Sequence, residues 1–180
     1  ARDSKKRLYN IGNQLWHSDS SFKTVPAKYS LLHCRSVTST GGNTEIADMR
    51  AAYDALDAET RATIEGLRVH HTIVHSRHVL GFDFSDDEKE KLKGADHPLV
   101  RTIPTSGRKA LYLASHAAHV EGWPVPEGRL LLHDLMAHAT LPQFTYAHVW
   151  RPFDFVIWDK RCTMHRARPF EDVKHRREMR

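Results

Sequence analysis

Short apolar runs of β character, separated by clusters of Gly, Ser, Asp and Asn, recur along this chain, and helical periodicity is confined to its middle. Residues 1–15 are polar and then mixed, and read as a loop leading into a strand that carries Trp16-His17-Ser18-Asp19-Ser20-Ser21-Phe22. Residues 29–34 have the character of a core strand, and residues 38–43 form a dense turn cluster. Asp48 is a good N-cap for a helix over 49–56, and Asp57 for one through 67. Residues 69–75 are β-branched and rich in histidine, which predicts a strand. Residues 85–93 carry acids early and lysines late, a polarity that suits the helix dipole.

A hairpin is predicted where residues 97–103 and 110–113 flank Ser106-Gly107-Arg108. In a helix over 127–139, Leu131, Leu135 and Ala139 share a face. Three short strands follow at 144–150, 154–158 and 162–165. Without repeats or an interdomain linker, the pattern predicts one domain over 1–180: mainly β with inserted α-helices, a barrel or jelly roll.

Composition narrows this. With 180 residues, 40% hydrophobic, and with four Trp, seven Phe and five Tyr, the chain can bury a substantial core. No apolar run reaches the length of a bilayer-spanning helix, so no membrane partner is expected. Cys34 and Cys162 are the only cysteines and form no CxxC, which fits a reducing, cytoplasmic setting. The net charge of +5 suits nucleic acid or small anions. The basic runs Lys5-Lys6-Arg7 and His175-Arg176-Arg177 have no interleaved aromatics for base stacking, so small anions are the expectation and nucleic acid is not. The chain opens on Ala1 and ends at Arg180 within a basic, strand-like segment, which leads us to expect an internal fragment. A homo-oligomer is compatible with the sequence.

Candidate chemistry centres on His17 and Asp19. Two residues apart in an extended strand, they project from one face and can grip one metal ion. The tripeptide alone fits a turn-forming Ser/Asp cluster after a buried Trp better than it fits a metal site, and an imidazole and a carboxylate leave an ion short of ligands. Two histidines and one carboxylate on one face of Fe(II) would leave three positions open. A third ligand is expected on a late strand, where His165 is best placed. His71 and His75, four apart, would spread over about 13 Å if extended. His116 and His119, three apart, have only Glu121 as a nearby carboxylate. Both pairs read as ordinary polar or half-buried histidines.

With these residues assembled, the chain resembles the iron(II)- and 2-oxoglutarate-dependent dioxygenases of the TauD/TfdA family. The resemblance runs through residues 13–22, Gly41-Gly42-Asn43-Thr44, residues 48–56, His119-Val120-Glu121-Gly122, Glu127-Gly128-Arg129, and residues 157–162 up to His165-Arg166. It implies a double-stranded β-helix, incomplete at both ends. It further implies that His17, Asp19 and His165 bind Fe(II), and that Thr44 and an arginine hold the distal carboxylate of 2-oxoglutarate, with O2 as the second cosubstrate. Motif alignment picks Arg177 for that arginine, while spacing also allows Arg176. A second arginine four residues on would hold the acidic group of the substrate; in the Arg176 register this is Arg180. Asn13 and Ser21 resemble substrate-side positions. The implied reaction is oxidation of a small carboxylic acid, an aryloxyacetate such as 2,4-dichlorophenoxyacetate, to a phenol and glyoxylate with succinate and CO2. Taurine or another alkylsulfonate is the alternative substrate, and a non-catalytic metal-binding jelly roll the alternative class. Ile103, after Val100-Arg101-Thr102, would bear on substrate choice if it lined the pocket.

Overall fold

The computed structural model describes residues 11–38, 40–171 and 176–180. Strands β1 (Tyr29–Ser36), β9 (Phe155–Asp159) and β11 (Glu178–Met179) form one antiparallel sheet in the order β11–β1–β9. Strands β2 (Thr44–Asp48), β8 (Thr145–His148) and β10 (Thr163–Ala167) form another in the order β10–β2–β8. From β8 onward the chain passes from one sheet to the other with each strand. That alternation closes the two sheets around a shared cavity, the arrangement of a double-stranded β-helix.

The period of 2 divides labour in the second sheet. His165 and Thr44 point into the cavity, whereas Met164 and Ala47 are fully buried on the opposite face. On that outer face Arg166 donates from Nε to Glu45 at 2.6 Å across the register pair. The segment between β2 and β8 supplies most of the core covering this face. It contains helices α1 (Met49–Asp54), α2 (Ala58–Ile64), α3 (Ile73–His78), α4 (Asp86–Lys91) and α5 (Val125–Ala139). With them run strands β3 (Arg68–His71), β4 (Ala95–Pro98), β5 (Val100–Thr102), β6 (Lys109–Leu111) and β7 (Ala117–Val120).

Most predicted boundaries hold within a few residues because local chemistry sets them. The carboxylate of Asp48 accepts from the Arg50 and Ala51 amides, and that of Asp57 from Thr60. A capping box between Ser85 and Glu88 starts α4. The 100s hairpin forms as β5 and β6. On α5 the buried face runs through Gly128, Leu132, Leu135 and Ala139. A Cβ on Gly128 would meet Val120 at 3.2 Å, so glycine lets α5 approach β7 closely.

Two expectations outside the His17 motif fail. The strand expected over 69–75 ends at His71, because the Thr72 hydroxyl caps α3 by accepting from the Val74 amide. His71 and His75 therefore lie on different elements. Nor is β1 a core strand: Tyr29 and Leu31 are exposed on its outer face, and Cys34 is its one fully buried residue. Among the described residues, no helix is long and apolar enough to cross a membrane.

Candidate metal and acid-binding site

His17 and His165 come together through the backbone. Each amide donates to the other's carbonyl, at 3.0 Å and 2.9 Å, in an isolated antiparallel bridge. Directly opposed residues of such a pair share a face, and the two imidazole centroids lie 4.3 Å apart. Asp19 joins them by another route than the strand geometry expected from sequence. The chain leaves the bridge at once and turns, with Ser20 at a φ of 65°. The turn brings Asp19 Oδ1 to 3.5 Å from His17 Nε2 and Oδ2 to 3.5 Å from His165 Nε2.

One ligand atom from each of the three lies within 4.8 Å of the others, the one such group among the described residues. Their hydrogen bonds suit a metal. His17 Nδ1 lies 2.7 Å from the Leu15 carbonyl, which can only accept, so the proton is on Nδ1 and the Nε2 lone pair faces the cluster. Ser30 on β1 donates to Asp19 Oδ2 at 2.6 Å and orients the carboxylate.

Electrostatics prepare the same protonation states. Burial would raise the Asp19 carboxyl, but the adjoining imidazoles of His17 and His165 and the Ser30 hydroxyl outweigh it and hold Asp19 well below the usual carboxylate range. Burial, with His17 alongside, pushes His165 down to about 3, so its imidazole is neutral and able to ligate at neutral pH.

The cluster opens into a cavity of about 310 Å³ between the two sheets. Thr44 lies on the wall with His165, because it pairs with Ala167, two residues along β10. Its Oγ1 accepts from Trp150 Nε1 at 3.0 Å, leaving the hydroxyl proton for another acceptor. Arg177 lines the cavity too, and its Nε and Nη2 are buried without a hydrogen-bond partner among the described residues. Its stem lies against Gly42, at a φ of 71°, where a Cβ would come within 3.3 Å of Arg177 Cδ. Burial depresses the Arg177 guanidinium below its ordinary value, and no carboxylate among the described residues opposes that. A buried guanidinium fork without an anion is costly, and a carboxylate entering the cavity would relieve it.

The other predicted residues divide. Asn13, in a short turn at Gly12–Gln14, lines the cavity. Arg176 does not: its side chain is 89% exposed and lies 3.8 Å from Glu178. Arg180 pairs its backbone with His33 and turns its side chain outward, 3.6 Å from Glu178. Ser21 is fully buried beneath the metal turn, 3.2 Å from His71 Nδ1. Ile103 lies in the core rather than on the cavity wall. His116 bonds Ser76 and sets its ring edge-on to His17 and Phe22, while His119 stacks on His70. Lys5-Lys6-Arg7 and His175 lie outside the described residues.

Sequence reasoning missed Ser30, Trp150, Trp158, Leu32 and Met179 as parts of the site. A polar Ser30 among apolar strand neighbours was the one available signal.

The buried neutral histidines carry a testable cost. Burial pushes His116 down to about 3, and holds His71 well below its ordinary value. The unfolded chain protonates these side chains near pH 6.5 and the folded chain does not, so below pH 6.5 the unfolded state holds more protons and stability falls with pH. Each group contributes up to about 1.4 kcal/mol per pH unit in that window. We expect the urea midpoint of the metal-free chain to drop steadily from pH 7 to pH 4, and less steeply in His116→Gln.

Comparison with known proteins agrees with this geometry. The family model described as taurine catabolism dioxygenase TauD, TfdA family matches residues 1–180. The alpha-ketoglutarate-dependent 2,4-dichlorophenoxyacetate dioxygenase of Cupriavidus pinatubonensis is 48% identical over 99% of this chain. The chain spans 62% of that relative's length. A crystal structure of AAD-2 with Mn(II) and N-oxalylglycine superposes with a TM-score of 0.93 at 55% identity, over 97% of this chain and 69% of that one. A taurine dioxygenase from Burkholderia xenovorans gives a TM-score of 0.77 at 29% identity, over 93% of this chain and 55% of that one.

Proposed function

Because the chain belongs to the TauD, TfdA family, we propose that its cavity is the Fe(II) and 2-oxoglutarate site of a dioxygenase domain that oxidises a small carboxylic acid. The observation that carries this is the sharing of one cavity by a two-histidine, one-carboxylate cluster and a buried guanidinium fork with no anionic partner among the described residues. In this reading His17 Nε2, His165 Nε2 and one oxygen of Asp19 hold the metal. Fe(II) bound by three such ligands keeps positions free for 2-oxoglutarate and O2 and supplies the oxidising chemistry.

The protein's part is to bind and orient. Arg177 and Thr44 fix the distal carboxylate of 2-oxoglutarate, with the Trp150 bond aiming the Thr44 proton. Ser30 keeps Asp19 turned towards the metal. The apolar wall of Leu32, Trp158 and Met179 excludes water and suits the ring of an aryl acid. The net reaction converts an aryloxyacetate, 2-oxoglutarate and O2 into a phenol, glyoxylate, succinate and CO2. An aryloxyacetate is favoured over taurine by the names of the relatives, since the 2,4-dichlorophenoxyacetate enzyme shares 48% identity and the taurine dioxygenase 29%. The two buried, unpaired thiols, Cys34 and Cys162, fit work in a reducing cytoplasm.

The test is succinate release from 2-oxoglutarate with Fe(II) and ascorbate, comparing 2,4-dichlorophenoxyacetate with taurine. We expect the aryloxyacetate to stimulate turnover at least tenfold over taurine. Preference for taurine would reassign the substrate. Metal binding without turnover on any acid would leave the chain a non-catalytic metal-binding jelly roll.

A further inference from the structure

The turn that presents Asp19 is irregular. It leaves the His17 bridge, takes Ser20 to positive φ, and closes through Ser21 N to Ser18 O at 3.2 Å and Lys23 N to Ser20 O at 2.9 Å. Serine at positive φ persists only where its surroundings hold it. Three polar anchors do so from behind. Ser18 donates to the Lys160 carbonyl at 3.2 Å, Ser21 meets His71 Nδ1 at 3.2 Å, and the Lys23 carbonyl accepts from His97 Nε2 at 3.0 Å.

Behind two of these anchors stands Arg101, on β5. Its Nη2 donates to His97 Nδ1 at 2.8 Å, and its guanidinium lies over the Tyr112 ring, 3.3 Å from the centroid. The Tyr112 ring in turn packs against the His71 imidazole, 5.4 Å between centroids, and His71 meets Ser21. A guanidinium only donates. His97 Nδ1 must therefore accept, and the single proton of the ring sits on Nε2, directed at the Lys23 carbonyl. Burial and the Arg101 charge both depress His97, which keeps it in that neutral form. Among the described residues Arg101 has no carboxylate partner, so ion pairing does not account for its half-buried position. Of its two contacts, one leads to Ser21 in the middle of the metal turn and the other to Lys23 at its end.

We propose that Arg101 is a positioning residue for the metal turn, setting Lys23 through His97 and Ser21 through Tyr112 and His71 so that Asp19 meets the two histidines. The inference rests on the metal reading above and concerns a residue whose guanidinium lies outside the cavity.

The experiment measures Mn(II) binding by electron paramagnetic resonance, with near-ultraviolet circular dichroism to confirm folding. Wild type, Arg101→Met and His97→Gln are compared. Arg101→Met is expected to weaken Mn(II) binding about tenfold, the scale of outer-partner losses at metal sites. His97→Gln, whose amide can still donate to the Lys23 carbonyl, should retain most of the affinity. If Arg101→Met does not fold, Tyr112→Leu keeps an apolar side chain there and removes the ring between Arg101 and His71, and a smaller loss in the same direction is expected. Co(II) spectra should change in the weakened variants, because a moved Asp19 alters the ligand field. Wild-type binding with Arg101→Met, or its substitute Tyr112→Leu, within experimental error of wild type would overturn the positioning role and leave the metal reading intact. Absence of Mn(II) binding by the wild type would overturn both.

Discussion

Asp19→Ala is expected to lower Mn(II) or Fe(II) affinity on the order of 100-fold or more, beyond the 10- to 100-fold typical of losing an outer partner. Asp19 supplies the only negative charge in the ligand cluster. Its carboxylate lies 3.5 Å from both Nε2 atoms and stays ionised despite burial. Removing it leaves only the two imidazoles to hold a dication, with the Ser30 hydroxyl pointing at a void. Asp19→Asn separates charge from shape. The amide oxygen can still accept from Ser30, so this variant should fold as wild type does while losing most of the metal affinity. Titration with Mn(II), followed by electron paramagnetic resonance, reads both variants. Near-wild-type affinity in Asp19→Asn would show that the cluster does not bind metal through this carboxylate.

Part of this site is legible in the sequence because local rules set it. Histidine two residues before aspartate is visible in any reading, and caps at Asp48 and Asp57 announce the helices that back the second sheet. The means by which Asp19 reaches the two histidines is not local. His17 finds its place by pairing with His165, 148 positions along the chain, and Asp19 by a turn braced from β3, β4 and β5. Periodicity cannot report such contacts, so the motif reads as a strand.

The histidines between residues 69 and 75 mislead for the opposite reason: β-branched neighbours suggest a strand, but one Thr72 hydroxyl starts a helix. Ser21 and Ile103 show a further limit. Position along a motif suggests a wall of the cavity, whereas packing directs both side chains into the interior. For the basic run at the end of the chain, spacing allows either of two arginines. Only the strand pairing of β11 against β1 separates them, turning Arg177 inward and Arg176 to solvent.

That separation yields the other large effect. Arg177→Met should weaken 2-oxoglutarate binding by about 100-fold, because two hydrogen bonds to a carboxylate at roughly 1.5 kcal/mol each amount to about 3 kcal/mol. Arg177→Lys keeps the charge and loses the planar fork. It is expected to recover only part of the loss, since one ammonium cannot reproduce two parallel donors. Thr44→Val removes a single neutral donor and should cost about tenfold, with a further penalty from the Trp150 indole left without its acceptor. Arg176→Met, altering a side chain that points to solvent, should change nothing. Trp150 and Trp158 border the site, so quenching of tryptophan fluorescence in the metal-loaded protein can follow binding in all four variants. A loss in Arg176→Met equal to that in Arg177→Met would move the carboxylate anchor to the neighbouring arginine. Unchanged binding in Arg177→Met would mean that the buried guanidinium serves the fold and not the cosubstrate.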